Sequence, residues 1–116
     1  MAEPVRQKLN VSRSIVLDAA GNGTATLAPE DFPGPANWHV DGVIIQTNRP
    51  GQAPIPRVQV YMDTVSPANS QGLSYDGSFS QGAADLNLSR GNTLLAVWAA
   101  GGPGDIASMT ITGEKW

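Results

Sequence analysis

The stretch of sequence that decides the fold is WHVDGVIIQT, Trp38–Thr47, near the middle of the chain. β-Branched and aromatic residues are frequent in it, and its apolar side chains do not follow the 3.6-residue period of a helix. A strand would divide these side chains between two faces, with Trp38, Val40 and Ile44 on one and Val43 and Ile45 on the other. Because both faces are apolar, we expect a central strand that is covered on each side, or one whose second face meets another subunit.

Similar segments recur on both sides of this strand, with turn signals about every ten residues. Before it, residues 14–18 run into Gly21-Asn22-Gly23, which adopts positive φ readily, so we predict a tight hairpin to residues 24–27. After it, predicted strands occupy residues 57–62, 93–99 and 107–112, with shorter ones around Tyr75, around Phe79 and at residues 86–88. The pattern predicts an all-β fold: an antiparallel β-sandwich of about eight strands, either jelly-roll or immunoglobulin-like.

The chain has 116 residues, which is the size of one domain, and its 13 glycines and 9 prolines indicate many turns. We predict an N-terminal arm at residues 1–13 and a single β-sandwich domain at residues 14–116. No stretch of ten residues has the period and caps of a helix. A short helical turn at residues 29–32 is compatible with the sequence Pro-Glu-Asp there.

The charge pattern and composition exclude several kinds of partner. The formal net charge is -3, and the seven Lys and Arg residues are scattered, so nucleic acid is not an expected partner. The absence of cysteine excludes disulfides and thiol redox chemistry. Residues 1–11 contain no apolar core of the kind a signal peptide needs, so we expect no export by that route, and the longest apolar run, residues 94–100, is far too short to cross a membrane. We therefore expect no membrane contact.

The sequence offers little for catalysis or metal binding. His39 is the single histidine, and one imidazole cannot form a histidine metal cluster or by itself a triad. In GLSYDG, residues 72–77, the second glycine falls one residue too late for a nucleophile elbow. The segment that begins DLNLS at residue 85 lacks the glycine and the glutamate of a calcium loop at the required positions. We predict no enzymatic activity, no cofactor and no metal, so that the protein acts by binding or by building.

Aromatic and terminal residues are the candidates for contact with a partner. Trp38 and Trp98 lie in apolar strands and are predicted to be core residues. A tryptophan as the last residue either folds back over its own sheet or anchors a neighbouring subunit, and both remain open for Trp116. A polar arm could also add to the edge of a neighbour's sheet. The predicted contact residues are Val5, Leu9, Val11, Tyr75, Phe79 and Trp116.

Several short motifs together support a resemblance to a known group of proteins. They are the Gly-Asn-Gly turn within residues 18–27, Trp38-His39-Val40, Val60-Tyr61, Leu94-Leu95-Ala96-Val97-Trp98 after Gly91, Gly101-Gly102-Pro103-Gly104-Asp105 and Thr110-Ile111-Thr112-Gly113-Glu114. In these motifs, which span roughly residues 14–114, the chain resembles small β-rich proteins encoded among the virion structural genes of tailed phages that infect actinobacteria.

The resemblance implies a protein present in many copies on the phage particle. The leading expectation is a capsid decoration protein, made in the bacterial cytoplasm and placed on the outer surface of the virion, where it binds and stabilises the shell. A component of the tail or tail tip is the alternative. Its partners would be the major capsid or tail protein and further copies of itself, with a trimer favoured.

A carbohydrate-binding module that recognises the host envelope is the rival interpretation. In residues 57–62, alternation places Val58, Val60 and Met62 on one face and Gln59 and Tyr61 on the other. Sugars would then stack on Tyr61, Tyr75 or Phe79. This function requires at least two coplanar exposed aromatic rings on one face of the sandwich.

Overall fold

The computed structural model describes residues 6–48, 56–63, 70–76 and 79–116, with the backbone alone described for residues 70–76 and 79. Its elements in chain order are β1 (Gln7–Val16), β2 (Gly23–Leu27), a 3₁₀ turn (Pro29–Asp31), β3 (Trp38–Thr47), β4 (Arg57–Met62), β5 (Ser70–Asp76), β6 (Phe79–Leu88), β7 (Leu94–Ala99) and β8 (Ile106–Lys115). The prediction of an all-β sandwich of about eight strands is confirmed, and the helical turn is present where Pro29 opens it.

The strands form two antiparallel four-stranded sheets. The first sheet has the order β1-β8-β3-β6 and the second has the order β2-β7-β4-β5. Four antiparallel pairs are nested inside one another along the chain, β1 with β8, β2 with β7, β3 with β6 and β4 with β5. This is one long hairpin rolled into two layers, which makes the sandwich a jelly roll and not an immunoglobulin-like fold.

The core lies between the two sheets and is built from alternate residues of the strands. Trp38 and Trp98 are its largest side chains, at 1% and 0% exposed, as predicted for both. Val58 and Val60 on β4 are buried, whereas Gln59 lies on the exposed outer face. The alternation predicted for this strand is therefore confirmed.

A β-bulge in β3 changes which residues of that strand reach the core. The pairing of β3 with both β6 and β8 shifts register between Val40 and Gly42. Beyond the shift, Val43 and Ile45 are 0% exposed, and Ile44 lies half-buried outside the core cluster. The prediction that Ile44 shares a face with Trp38 is wrong, because one irregular step exchanges the two faces of every later residue.

The N-terminal segment belongs to the sandwich from residue 7 onward. β1 pairs with β8 without a register shift from Gln7 to Val16, and Leu9 is 0% exposed within the core. The predicted arm of residues 1–13 is therefore too long, since residues 7–13 form most of a regular strand. Residues 1–5 lie outside the described part of the chain.

The turn at Gly21 joins the two sheets, so the predicted hairpin is also wrong. β1 belongs to the first sheet and β2 to the second, and they do not pair with each other. The turn is tight: Asp18 accepts hydrogen bonds from the backbone of Ala20 and Asn22, at 2.9 and 3.0 Å. Its Gly21 carbonyl accepts a bond from the Gly101 N–H at 2.8 Å, which fastens it to the turn between β7 and β8.

Candidate functional site

The predicted contact residues fall in different parts of the structure. Leu9 is a core residue with no exposed surface, so its assignment as a contact residue is wrong. Val11 is half-buried and packs against the core from the edge of the first sheet. Tyr75 lies in β5 and Phe79 begins β6, but their side chains are outside the described part, as is Val5 altogether.

Trp116 folds back onto its own chain and stays partly exposed. Its backbone N–H donates to Asn37 at 2.9 Å, and its carbonyl accepts from the Asn37 N–H at 3.2 Å. The guanidinium of Arg6 lies 4.4 Å from the centre of the indole ring and donates to Glu114 at 2.9 Å. Arg6, which directly precedes β1, thus contacts both Glu114 near the end of β8 and Trp116.

Replacing Arg6 by methionine is expected to lower the free energy of unfolding by about 1 kcal/mol, since exposed ion pairs and cation–π contacts are each small. The same change should make the indole of Trp116 more accessible to acrylamide quenching, because the guanidinium no longer covers the ring. The change in quenching reports on Trp116, since Trp38 and Trp98 are shielded in the core. Urea unfolding and fluorescence quenching measure the two effects. Glu114→Gln is the control: it removes the ion pair and keeps the cation–π contact, so quenching should change less.

The first candidate binding surface is the β1 edge of the first sheet, whose other terminal strand is β6. In the strand order of the described residues, β1 has β8 on one side and is terminal in its sheet. Val11 and Ile15 lie half-buried along its inner side. At its end, Val16 is 67% exposed and lies opposite Ile106, which is 48% exposed. These are the two large hydrophobic residues that the described part of the chain leaves most exposed.

The second candidate is a recess on the outer face of the second sheet. It has a volume of about 300 Å³ and is lined by Arg57, Gln59, Tyr61, Val97 and Ala99. We call it the Tyr61 recess. The antiparallel register of β4 and β7 builds it by placing Arg57 opposite Ala99 and Gln59 opposite Val97. Tyr61 is half-buried, and its hydroxyl donates a hydrogen bond to the side-chain oxygen of Gln59.

His39 has a partner that the sequence did not indicate. Its Nε2 lies 2.8 Å from Oδ1 of Asp85, and the pair lies on the outer side of the first sheet, where the Asp85 side chain is 87% exposed.

Within the described residues no group of three or more histidine, cysteine or acidic side chains is placed to hold a metal ion. Across the same residues, no helix is long and apolar enough to span a membrane.

The strand order defines the class of the protein as a jelly-roll β-sandwich, in which β1 is a terminal strand among the described residues and a shallow recess lies on the outer face of the second sheet. No protein-family model matches the chain, and no curated protein matches it.

Both candidate surfaces, the β1 edge and the Tyr61 recess, combine residues far apart in the sequence. The alternation of β4 indicates that Gln59 and Tyr61 share a face, but no sequence signal joins them to Val97.

Proposed function

We propose that this chain is a non-enzymatic structural protein of a phage particle, a decoration protein that binds the outer surface of the capsid shell as an oligomer. The observation that carries the proposal is β1, a terminal strand of the described first sheet, with its exposed apolar end, Val16 and Ile106. The resemblance to phage virion proteins supports it. The jelly roll also supports the proposal by analogy, since viral capsid domains use this fold. Lectins use the same fold, so the fold alone does not specify the function.

The β1 edge is suited to pairing with another chain. A strand at a sheet edge directs about half of its backbone N–H and C=O groups away from its single neighbour. The unbroken register of β1 keeps these groups in a regular row of ten residues. A strand added here would gain main-chain hydrogen bonds and would cover the half-buried side chains of Val11 and Ile15.

The exposed pair at the end of β1 would extend such an interface. Val16 and Ile106 are neighbours in the register of β1 and β8, so they form one apolar patch. Apolar residues that remain exposed as a group are typical of sites for protein contact. In a trimer, the edge and the patch would together supply both hydrogen bonds and buried apolar area.

The oligomer is tested by replacing Val16 with aspartate. We expect the purified protein to sediment as a trimer and Val16→Asp to weaken association by at least about tenfold, since apolar anchors dominate interfaces. Because Val16 is exposed in the single chain, its replacement should change the unfolding stability of the monomer, measured at concentrations below the association range, by no more than about 0.5 kcal/mol. Thr24→Asp, an exposed change on the other sheet, is the matched control and should leave the trimer intact. A wild-type monomer would contradict the proposed oligomer.

The location on the particle is tested by gold labelling of phage virions with an antibody against the purified chain. Regular labelling of the head is the result expected for a decoration protein. Labelling confined to the tail or its tip would favour the alternative. Particles that carry no label and yield no copies of the chain on denaturation would overturn a virion role altogether.

A further inference from the structure

We propose that the Tyr61 recess binds a carboxylate-bearing sugar, a uronic acid unit of an acidic polysaccharide. This inference goes beyond the structural role proposed above and rests on a different surface, the outer face of β4 and β7. The lining of the recess contains one aromatic ring, Tyr61, and not the two coplanar rings expected of a carbohydrate-binding module, so Gln59 and Arg57 must supply the rest of the binding. The recess combines an apolar floor, a tyrosine ring, an amide and a guanidinium within one short stretch of sheet.

The floor is apolar because β7 carries apolar residues on both of its faces. Its sequence is LLAVWA, in which Leu94, Ala96 and Trp98 are buried in the core. Val97 and Ala99 lie on the outer face and line the recess. β7 lies between β2 and β4, so this apolar surface is central in the sheet. A pyranose ring presents C–H groups on its faces and would cover such a floor with little loss of hydration.

The Tyr61 ring provides a wall on which a sugar can stack. Gln59 and Tyr61 are two residues apart on the same face of β4, and the Tyr61 hydroxyl reaches the Gln59 side chain. An aromatic face carries partial negative charge and attracts the weakly positive C–H hydrogens of a sugar.

Gln59 and Arg57 supply the polar contacts. The Gln59 oxygen accepts from Tyr61, which leaves its NH₂ group to donate to a sugar hydroxyl. Arg57 is exposed at the other end of the recess, with five N–H donors in a planar fork that matches a carboxylate. Arg57 lies opposite Asp76 of β5 in the strand register, so the preference for an acidic sugar over a neutral one requires the sugar carboxylate to compete with this aspartate for the guanidinium.

The dimensions suit a short saccharide. A volume of 300 Å³ lies at the lower end of the range of about 300–1,000 Å³ found for small-molecule sites. Arg57 and Tyr61 are four residues apart on one strand, which corresponds to about 14 Å. One unit can stack on Tyr61 while the carboxylate of a neighbouring unit reaches Arg57.

The test is a titration of the full-length protein with trigalacturonic acid, followed by backbone amide NMR. The methyl ester of the same trisaccharide serves as the neutral comparison. We expect shifts confined to β4 and β7, and binding of the acid at least about tenfold tighter than binding of the ester, as for hydrogen bonds to a charged group. Arg57→Gln should remove this preference, and Arg90→Gln, an exposed arginine outside the recess, should preserve it.

Two further variants separate the ring from the hydroxyl of Tyr61. Tyr61→Ala should weaken binding by about tenfold or more, whereas Tyr61→Phe keeps the ring and should retain binding within about threefold. The spectra of all variants away from β4 and β7 should overlay on the wild-type spectrum. Three results would each overturn the proposal. The first is equal binding of the acid and the ester, and the second is tighter binding of a triglutamate peptide. The third is no binding of the saccharide to the wild-type chain at about 10 mM, the weakest affinity worth assigning to a site.

Discussion

Replacing Trp98 by alanine is expected to lower the free energy of unfolding by about 3–5 kcal/mol, the cost of deleting a buried tryptophan side chain. Trp98 is 0% exposed and lies in β7, opposite Gly23 on one side and Val58 on the other. A domain of this size has a total stability of about 5–15 kcal/mol, so the loss would be a large fraction of it. Urea unfolding followed by far-ultraviolet circular dichroism measures the change without relying on the tryptophan signal.

Val97→Ala is the matched control for this prediction. Val97 is the next residue of the same strand and lies half-exposed on the outer face, so its truncation should cost about 1 kcal/mol or less. Comparable losses for the two variants would contradict the assignment of Trp98 to the inner face and Val97 to the outer one. A helix-rich dichroism spectrum of the wild-type chain would contradict the sandwich itself.

Regular strands are the part of the fold that could be predicted from the sequence. In β4, alternation alone places Val58 and Val60 inside and Gln59 outside, because its pairing with β7 keeps one register throughout, although the pairing with β5 shifts between Gln59 and Tyr61. The turn at Gly101 to Gly104 and the 3₁₀ turn at Pro29 follow from local preferences of glycine and proline in the same way. These features depend on neighbours in the sequence and need no knowledge of the tertiary structure.

Irregular and edge positions could not be predicted in that way. The bulge between Val40 and Gly42 follows from the pairing of β3 with β6 and β8, which the residues of β3 alone do not encode. β1 has polar residues at positions such as Asn10 and Ser12, which lie exposed on the outside of the first sheet. The N-terminal half of β1 therefore has the polar composition of an arm, although its Leu9 side chain is buried in the core.

The candidate surfaces were predictable in part. The sequence alone places Tyr61 among the residues on which a sugar would stack, and its position beside Gln59 follows from alternation. The contribution of Val97 depends on the pairing of β4 with β7, and the position of Val16 beside Ile106 depends on the pairing of β1 with β8. Strand order in a jelly roll brings together residues from opposite ends of the chain, so local patterns cannot reveal such surfaces.

Replacing Gly21 by alanine is expected to lower the free energy of unfolding by about 3 kcal/mol or more, since it combines backbone strain with a steric clash. Gly21 has a φ of +77°, and a Cβ atom there would lie 1.9 Å from the Gly101 carbonyl oxygen. The contact belongs to the turn pair that closes one end of the sandwich, where the Gly101 N–H donates to the Gly21 carbonyl at 2.8 Å. An added methyl group must push these two backbones apart and break that bond.

Gly104→Ala isolates the conformational part of this effect. Gly104 has nearly the same φ, +79°, but a Cβ atom there would meet nothing within 4 Å. Its replacement should therefore cost only the left-handed conformation, about 1–2 kcal/mol. The difference between the two variants in urea unfolding measures the steric term at Gly21. Equal losses would show that the close approach of Gly21 and Gly101 contributes nothing, and that the turns can separate without harm to the sandwich.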